Sequence, residues 1–147
     1  HKYCGGKVPN LSGDDIPAEN ALKAIGTTLG EQVAQAYEAI AFSDAASAIL
    51  ALLHAGNKYI DEQAPWTLYK QKQQAAVEQV LYSVLESVRL AAYLLSPIVP
   101  NIANDIYQQL SFDINFNDKT QIGVAASFAT HAQWGILTGG QILNKPR

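Results

Sequence analysis

No methionine occurs among the 147 residues, and a single cysteine, Cys4, stands near the start. A translated reading frame opens with methionine, so the chain is expected to be a processed protein or a piece of a longer one. One cysteine excludes an internal disulfide and suits a reducing compartment. No apolar run reaches the roughly 18 residues that a membrane span needs, so no membrane association is expected. The opening His1-Lys2-Tyr3-Cys4-Gly5-Gly6 has no apolar signal region. Basic charge is scarce too: ten Lys and Arg face thirteen Asp and Glu, a net charge of −3. Domains that grip nucleic acid through counterion release carry a basic excess. Any RNA contact here is therefore expected to be local and to lean on stacking and base edges.

Catalytic and metal signatures are also missing. His1, His54, His131 and Cys4 show no C-x-x-C or H-x-x-x-H spacing. Cys4-Gly5-Gly6-Lys7 lacks the glycine spacing of a P-loop. Asp14-Asp15 reads as helix-start charge rather than an acid/base couple. No catalytic residue and no metal ligand is expected.

What is present is an ordinary globular composition, 48% hydrophobic and 16% charged, suited to one domain over residues 1–147 with a single core. The first 16 or so residues read as a loop. Pro17 fits a first helical turn, followed by Leu22, Ile25, Leu29, Val33, Ala36, Tyr37 and Ile40 at helical spacing. Ser43-Asp44 is a candidate N-cap for a second helix burying Ile49, Leu50, Leu53 and Ile60. Pro65 ends or kinks that helix. The clearest helix follows, with a stripe of Val77, Val80, Leu81, Val84, Leu85, Val88, Ala91, Ala92 and Leu95. Glu78, Tyr82, Glu86 and Arg89 fall on its other faces. Pro97 and Pro100 punctuate the start of a last long helix with Ile102, Ile106 and Leu110 inward. A short helix is expected within Val124–Gln133, and Trp134-Gly135 and Gly139-Gly140 mark turns. Short connections and no strand alternation predict an all-α, antiparallel helix bundle.

Asn57-Lys58-Tyr59-Ile60-Asp61-Glu62-Gln63-Ala64-Pro65-Trp66 is the most informative stretch. It places a large aromatic just past a helix break. On residue type, Trp66 is more often a packing residue; as a functional group, it is placed to stack on an exposed base. His54, Asn57 and Asp61 share one side of the helix. Asn57 offers a donor and an acceptor and Asp61 acceptors, the mixture that base edges need. The alternative is a solvated face on which Asp61 pairs with Lys58. Lys58, Lys70 and Lys72 make a modest basic cluster near Trp66, a candidate contact to RNA backbone.

The same stretch resembles the N-x-Y-[IV]-D-x-x-x-P-W signature of the anticodon-binding domain of bacterial-type methionyl-tRNA synthetases. Leu94 to Ala103 is similar to the family's L-x-P-x-x-P run. Trp134-Gly135-Ile136-Leu137 with Gly139-Gly140-Gln141-Ile142-Leu143 is similar to its W-G-x-L-x-x-G-x-x-[LI] segment. Order and spacing match over nearly the whole chain.

The resemblance implies an anticodon-binding helix bundle of the class I synthetase type. Its parent would join methionine to tRNA(Met) with ATP and Mg. The fragment itself would hold no cofactor, and the catalytic Rossmann domain would lie elsewhere in the parent chain. The implied partner is the CAU anticodon loop of tRNA(Met), in the cytoplasm. Trp66 matches the tryptophan that stacks on an anticodon base and Pro65 the proline that positions it; Asn57 and Asp61 match polar positions of the same helix. In the family, an asparagine and an arginine on a preceding helix also bind the anticodon. Both are expected upstream of residue 1, so the isolated domain should bind more weakly and less selectively. At His54 some members carry an aspartate. Two rival readings remain at this point. One is a protein–protein interaction bundle anchored by Trp66; the other is the corresponding domain of a different class I synthetase.

Overall fold

The computed structural model describes residues 3–118 and 128–144. Six α-helices occur among them: α1 (Ala21–Glu38), α2 (Phe42–Gln63), α3 (Pro65–Lys70), α4 (Gln74–Leu95), α5 (Pro100–Gln109) and α6 (Phe128–His131). The bundle expected from the sequence is therefore present. The only extended pairing among the described residues is an isolated antiparallel bridge between Lys7 and Ile142. None of the described helices is long and apolar enough to cross a membrane.

Helix α1 starts at Ala21, not at Pro17. The Asn20 carboxamide accepts from the N–H groups of Leu22 (3.0 Å) and Lys23 (3.2 Å), satisfying two donors that open the helix. A proline ring has no such acceptor. The helix then runs to Glu38, and Ile40 lies beyond it with φ 56° and 73% exposure rather than on its buried face. Helix α2 begins at Phe42 after Ala41, so Ser43 and Asp44 sit inside its first turn instead of capping it.

The amide of Asn20 also donates to the Tyr59 hydroxyl at 3.0 Å. At the other end of α1, the Tyr37 hydroxyl donates to the Leu94 carbonyl at 2.6 Å. The Asn20 amide also reaches the Ser83 hydroxyl of α4 at 3.5 Å, so the start of α1 lies beside the middle of α4 and its end beside the end of α4. The two run parallel, with α2 running back along α1. Ile49 and Leu52 are fully buried in the common core. Leu50, expected inward, points out, and Leu53 and Ile60 are half-buried. The inner face of α2 is thus rotated toward Ala45, Ile49, Leu52 and Gly56.

Helix α4 is the centre of the molecule. It packs against α1, α2, α3 and α5, and Tyr82, Glu86 and Arg89 are fully buried. The apolar stripe read from the sequence is therefore not the whole inner surface of α4: these three residues, on faces outside that stripe, are buried too. Of the expected stripe, Val77, Val80, Ala91 and Ala92 are buried, while Leu81, Val84, Leu85 and Val88 are only half covered. On α5, Ala103, Asn104 and Tyr107 face inward, and Ile102 is 58% exposed, another reversal. Of the helix expected within Val124–Gln133, residues 124–127 lie outside the described residues; α6 falls in the remainder.

The face of α4 carrying Tyr82, Glu86 and Arg89 is covered by residues 131–137. Glu86 accepts from the backbone N–H groups of Gly135 (2.8 Å), Ile136 (3.2 Å) and Leu137 (3.1 Å). Arg89 donates to Glu86 (2.7 Å) and to the carbonyls of His131 (2.8 Å) and Gln133 (2.6 Å). Burial opposes the guanidinium charge, but Glu86 and Tyr107 more than offset it, and the pKa of Arg89 lies above its ordinary value. Two glycines of α1 complete the seat. Gly26 faces the Trp134 ring and Gly30 the Ala132 carbonyl, each too close for a β-carbon.

Candidate nucleic-acid interface

At the end of α2 the chain must turn without unravelling. Ala64 takes the left-handed conformation (φ 43°, ψ 67°) and serves as both the C-cap of α2 and the residue before α3. Its N–H donates to the Ile60 carbonyl at 2.9 Å, and its own carbonyl accepts from Thr67 at 2.8 Å. An L-residue in this region costs about 1–2 kcal/mol, so the corner is held against local preference. Pro65 follows at the first helical position, where its missing N–H costs nothing. Pro65 is buried and Trp66 is 45% exposed. The proline anchors the corner, and the tryptophan stands outside the core.

Asn57 lies exposed on α2 nearly two turns before its end, Asp61 in its last turn, and His54 is exposed as well. Lys58 is exposed and pairs with Glu62 at 3.7 Å. The ion pair therefore goes to Glu62, not to Asp61 as the solvated-face alternative had it. Such an exposed pair contributes at most about 1 kcal/mol. Lys70 closes α3, and Lys72, with φ 57°, turns the chain into α4. Both are exposed. Trp66, Asn57, Asp61, Lys58, Lys70 and Lys72 thus all lie near one end of the bundle with open side chains. Among the described residues no group of three His, Cys, Asp or Glu could hold a metal ion.

Sequence reasoning missed one residue here. Tyr69, one helical turn after Trp66, is 44% exposed, and its ring centroid lies 4.8 Å from that of Tyr3. The i, i+3 spacing of two aromatics was the available signal.

A similar bundle is found in known proteins. The sequence profile of the anticodon binding domain of methionyl tRNA ligase matches residues 8–133. A methionine–tRNA ligase of Nostoc sp. is 58% identical over 146 residues, covering 99% of this chain and 27% of the relative. One from Synechocystis sp. is 52% identical, with 97% and 27% covered. The crystal structure of free Mycobacterium tuberculosis methionyl-tRNA synthetase superposes with a TM-score of 0.77 at 33% identity, covering 99% of this chain and 28% of that one. The chain belongs to the family of anticodon-binding domains of methionyl-tRNA ligases. It spans about a quarter of the length of these relatives, and the rival readings of the sequence are not favoured.

Proposed function

We propose that the chain is the anticodon-reading domain of a methionine–tRNA ligase and that Trp66 is its base-stacking residue. The parent enzyme would attach methionine to tRNA(Met) in the cytoplasm, using ATP and Mg on a catalytic domain outside these residues. One observation carries the reading of the site: Trp66 is nearly half exposed at a strained helix corner whose neighbouring proline is buried. A packing tryptophan would be turned inward, and this one is held out.

In this mechanism the CAU anticodon loop opens and one base stacks on the Trp66 ring, a contact worth roughly 1–3 kcal/mol. Pro65 fixes where the ring stands. Asn57 and Asp61 meet neighbouring base edges, with Asn57 able to donate and accept and ionised Asp61 accepting only. Lys70 and Lys72 lie against backbone phosphates, with Lys58 partly held by Glu62. Binding at this end would orient the tRNA for chemistry elsewhere in the parent. The domain's contribution is therefore positioning.

The test is a titration of the chain with a CAU stem-loop and with the same stem carrying a scrambled loop. Trp66→Ala is expected to weaken CAU binding roughly tenfold or more while the melting temperature stays put. Affinity should fall only gently with salt, given the net charge of −3. Equal binding of both loops, or a large drop in melting temperature for the variant, would return Trp66 to a packing role.

A further inference from the structure

We infer that Tyr69 forms a second base-stacking subsite beside Trp66, so that the interface holds two neighbouring unpaired nucleobases. This rests on the reading of Trp66 given above and extends it.

Trp66 and Tyr69 are three residues apart on α3. Residues at that spacing lie on one side of a helix, about 5–6 Å apart at Cβ. Both side chains are exposed to nearly the same degree. A buried pair at this spacing would mark the inner stripe of the helix, but the inward residues of α3 are Pro65 and the half-buried Leu68. The two rings occupy the outer side together.

Tyr69 is also supported. Tyr3 packs on it with the rings tilted by 58°, and the Tyr3 carbonyl accepts from the Gln74 side chain at 3.3 Å. The Tyr3 segment is thereby fastened to the start of α4. An aromatic ring braced on one side and open to solvent on the other loses little freedom when a base stacks on it. That low ordering cost favours binding. Charge points the same way. With Lys58 engaged by Glu62 and the net charge negative, phosphate contacts are few, and a second ring supplies affinity that does not depend on them.

The ligand class is a single strand with at least two adjacent unpaired bases. Stacking on a tyrosine needs the ring and not the hydroxyl. Tyr69→Phe should therefore bind a CAU stem-loop as the unchanged chain does. Tyr69→Leu, which keeps an apolar contact for Tyr3, should bind roughly tenfold more weakly with an unchanged melting temperature. The decisive arm replaces each anticodon nucleotide in turn by an abasic one, leaving the phosphates in place. At one position the abasic penalty should be large for the unchanged chain and small for Tyr69→Leu; a different position should show the same coupling with Trp66→Ala.

Wild-type affinity for Tyr69→Leu, or abasic penalties identical with and without the Tyr69 ring, would overturn the second subsite while leaving Trp66 in place. Loss of effect at Trp66 as well would remove the underlying reading together with this one.

Discussion

Glu86 and Gly135 are joined by a 2.8 Å hydrogen bond from the Gly135 N–H to the Glu86 carboxylate, across 49 residues of sequence. The same carboxylate holds Ile136, Leu137 and Arg89. It is fully buried, and its charge is balanced by one guanidinium and three aligned amides. Satisfied in this way, the pair costs little; half-satisfied, it would cost a great deal.

Glu86→Gln removes the charge and leaves Arg89 enclosed without its counter-ion. Breaking a buried pair on one side costs about 3–5 kcal/mol, a large share of a typical domain's stability. Urea denaturation should show a loss of that order, and amide exchange at residues 135–137 should accelerate. Glu86→Gln/Arg89→Met should be less destabilised than the two single changes summed. Wild-type stability for Glu86→Gln would mean that the carboxylate does not secure this segment.

Gly30 and Gly56 offer a contrast at one residue type. A β-carbon on Gly30 would overlap the Ala132 carbonyl, whereas one on Gly56 meets nothing within 4 Å. Both sit inside helices, where alanine is favoured over glycine by about 0.8–1.0 kcal/mol. Gly56→Ala is expected to raise the melting temperature, and Gly30→Ala to lower it by displacing the segment over α1. Thermal scans of the two variants check this; a rise for both would show that the segment yields without cost.

Alkaline pH should destabilise the fold by a route that the carboxylates do not share. Burial raises the pKa of Tyr82, with the Glu86 charge adding to it, and burial likewise raises that of Tyr107. Both folded-state values exceed the unfolded value near 10. Stability from keeping these phenols neutral is complete below about pH 10 and is lost as pH climbs through the folded-state values. Guanidinium midpoints should fall from pH 10 upward, with less slope in Tyr82→Phe. A flat profile in both would contradict the burial of these hydroxyls.

The helix corner was legible in the sequence because a proline stops a helix by itself; nothing distant has to be known. The exposed place of Trp66 was not legible in the same way: it depends on how α3 packs against α4, with Pro65 and Leu68 turned inward. Asn20 outcompetes Pro17 as the start of α1 because capping depends on a side-chain acceptor at one position, and helix ends are set by such single contacts. The burial of Glu86 and Arg89 was not legible for a different reason. Charged residues beside an apolar stripe normally face water. Their partners here are backbone groups of residues 131–137, which no pattern within α4 discloses. Ile102 was misplaced similarly: its outward position follows from the buried Asn104 accepting the Phe116 N–H at 2.6 Å, a contact that rotates polar surface of α5 inward. Tyr69 was overlooked because an aromatic within an amphipathic segment is read first as core.

The clasp on α4 also bears on how the polypeptide is made. Leu137 is 51 residues beyond Glu86. At roughly 5–20 residues per second, a ribosome needs about 3–10 seconds to produce that intervening stretch. Once α4 is complete at Leu95, the nascent bundle has its principal helix but not the strap of residues 131–137 that shields its charges. Those charges must stay hydrated until the strap arrives, which makes closure of this face a late event in the maturation of the domain.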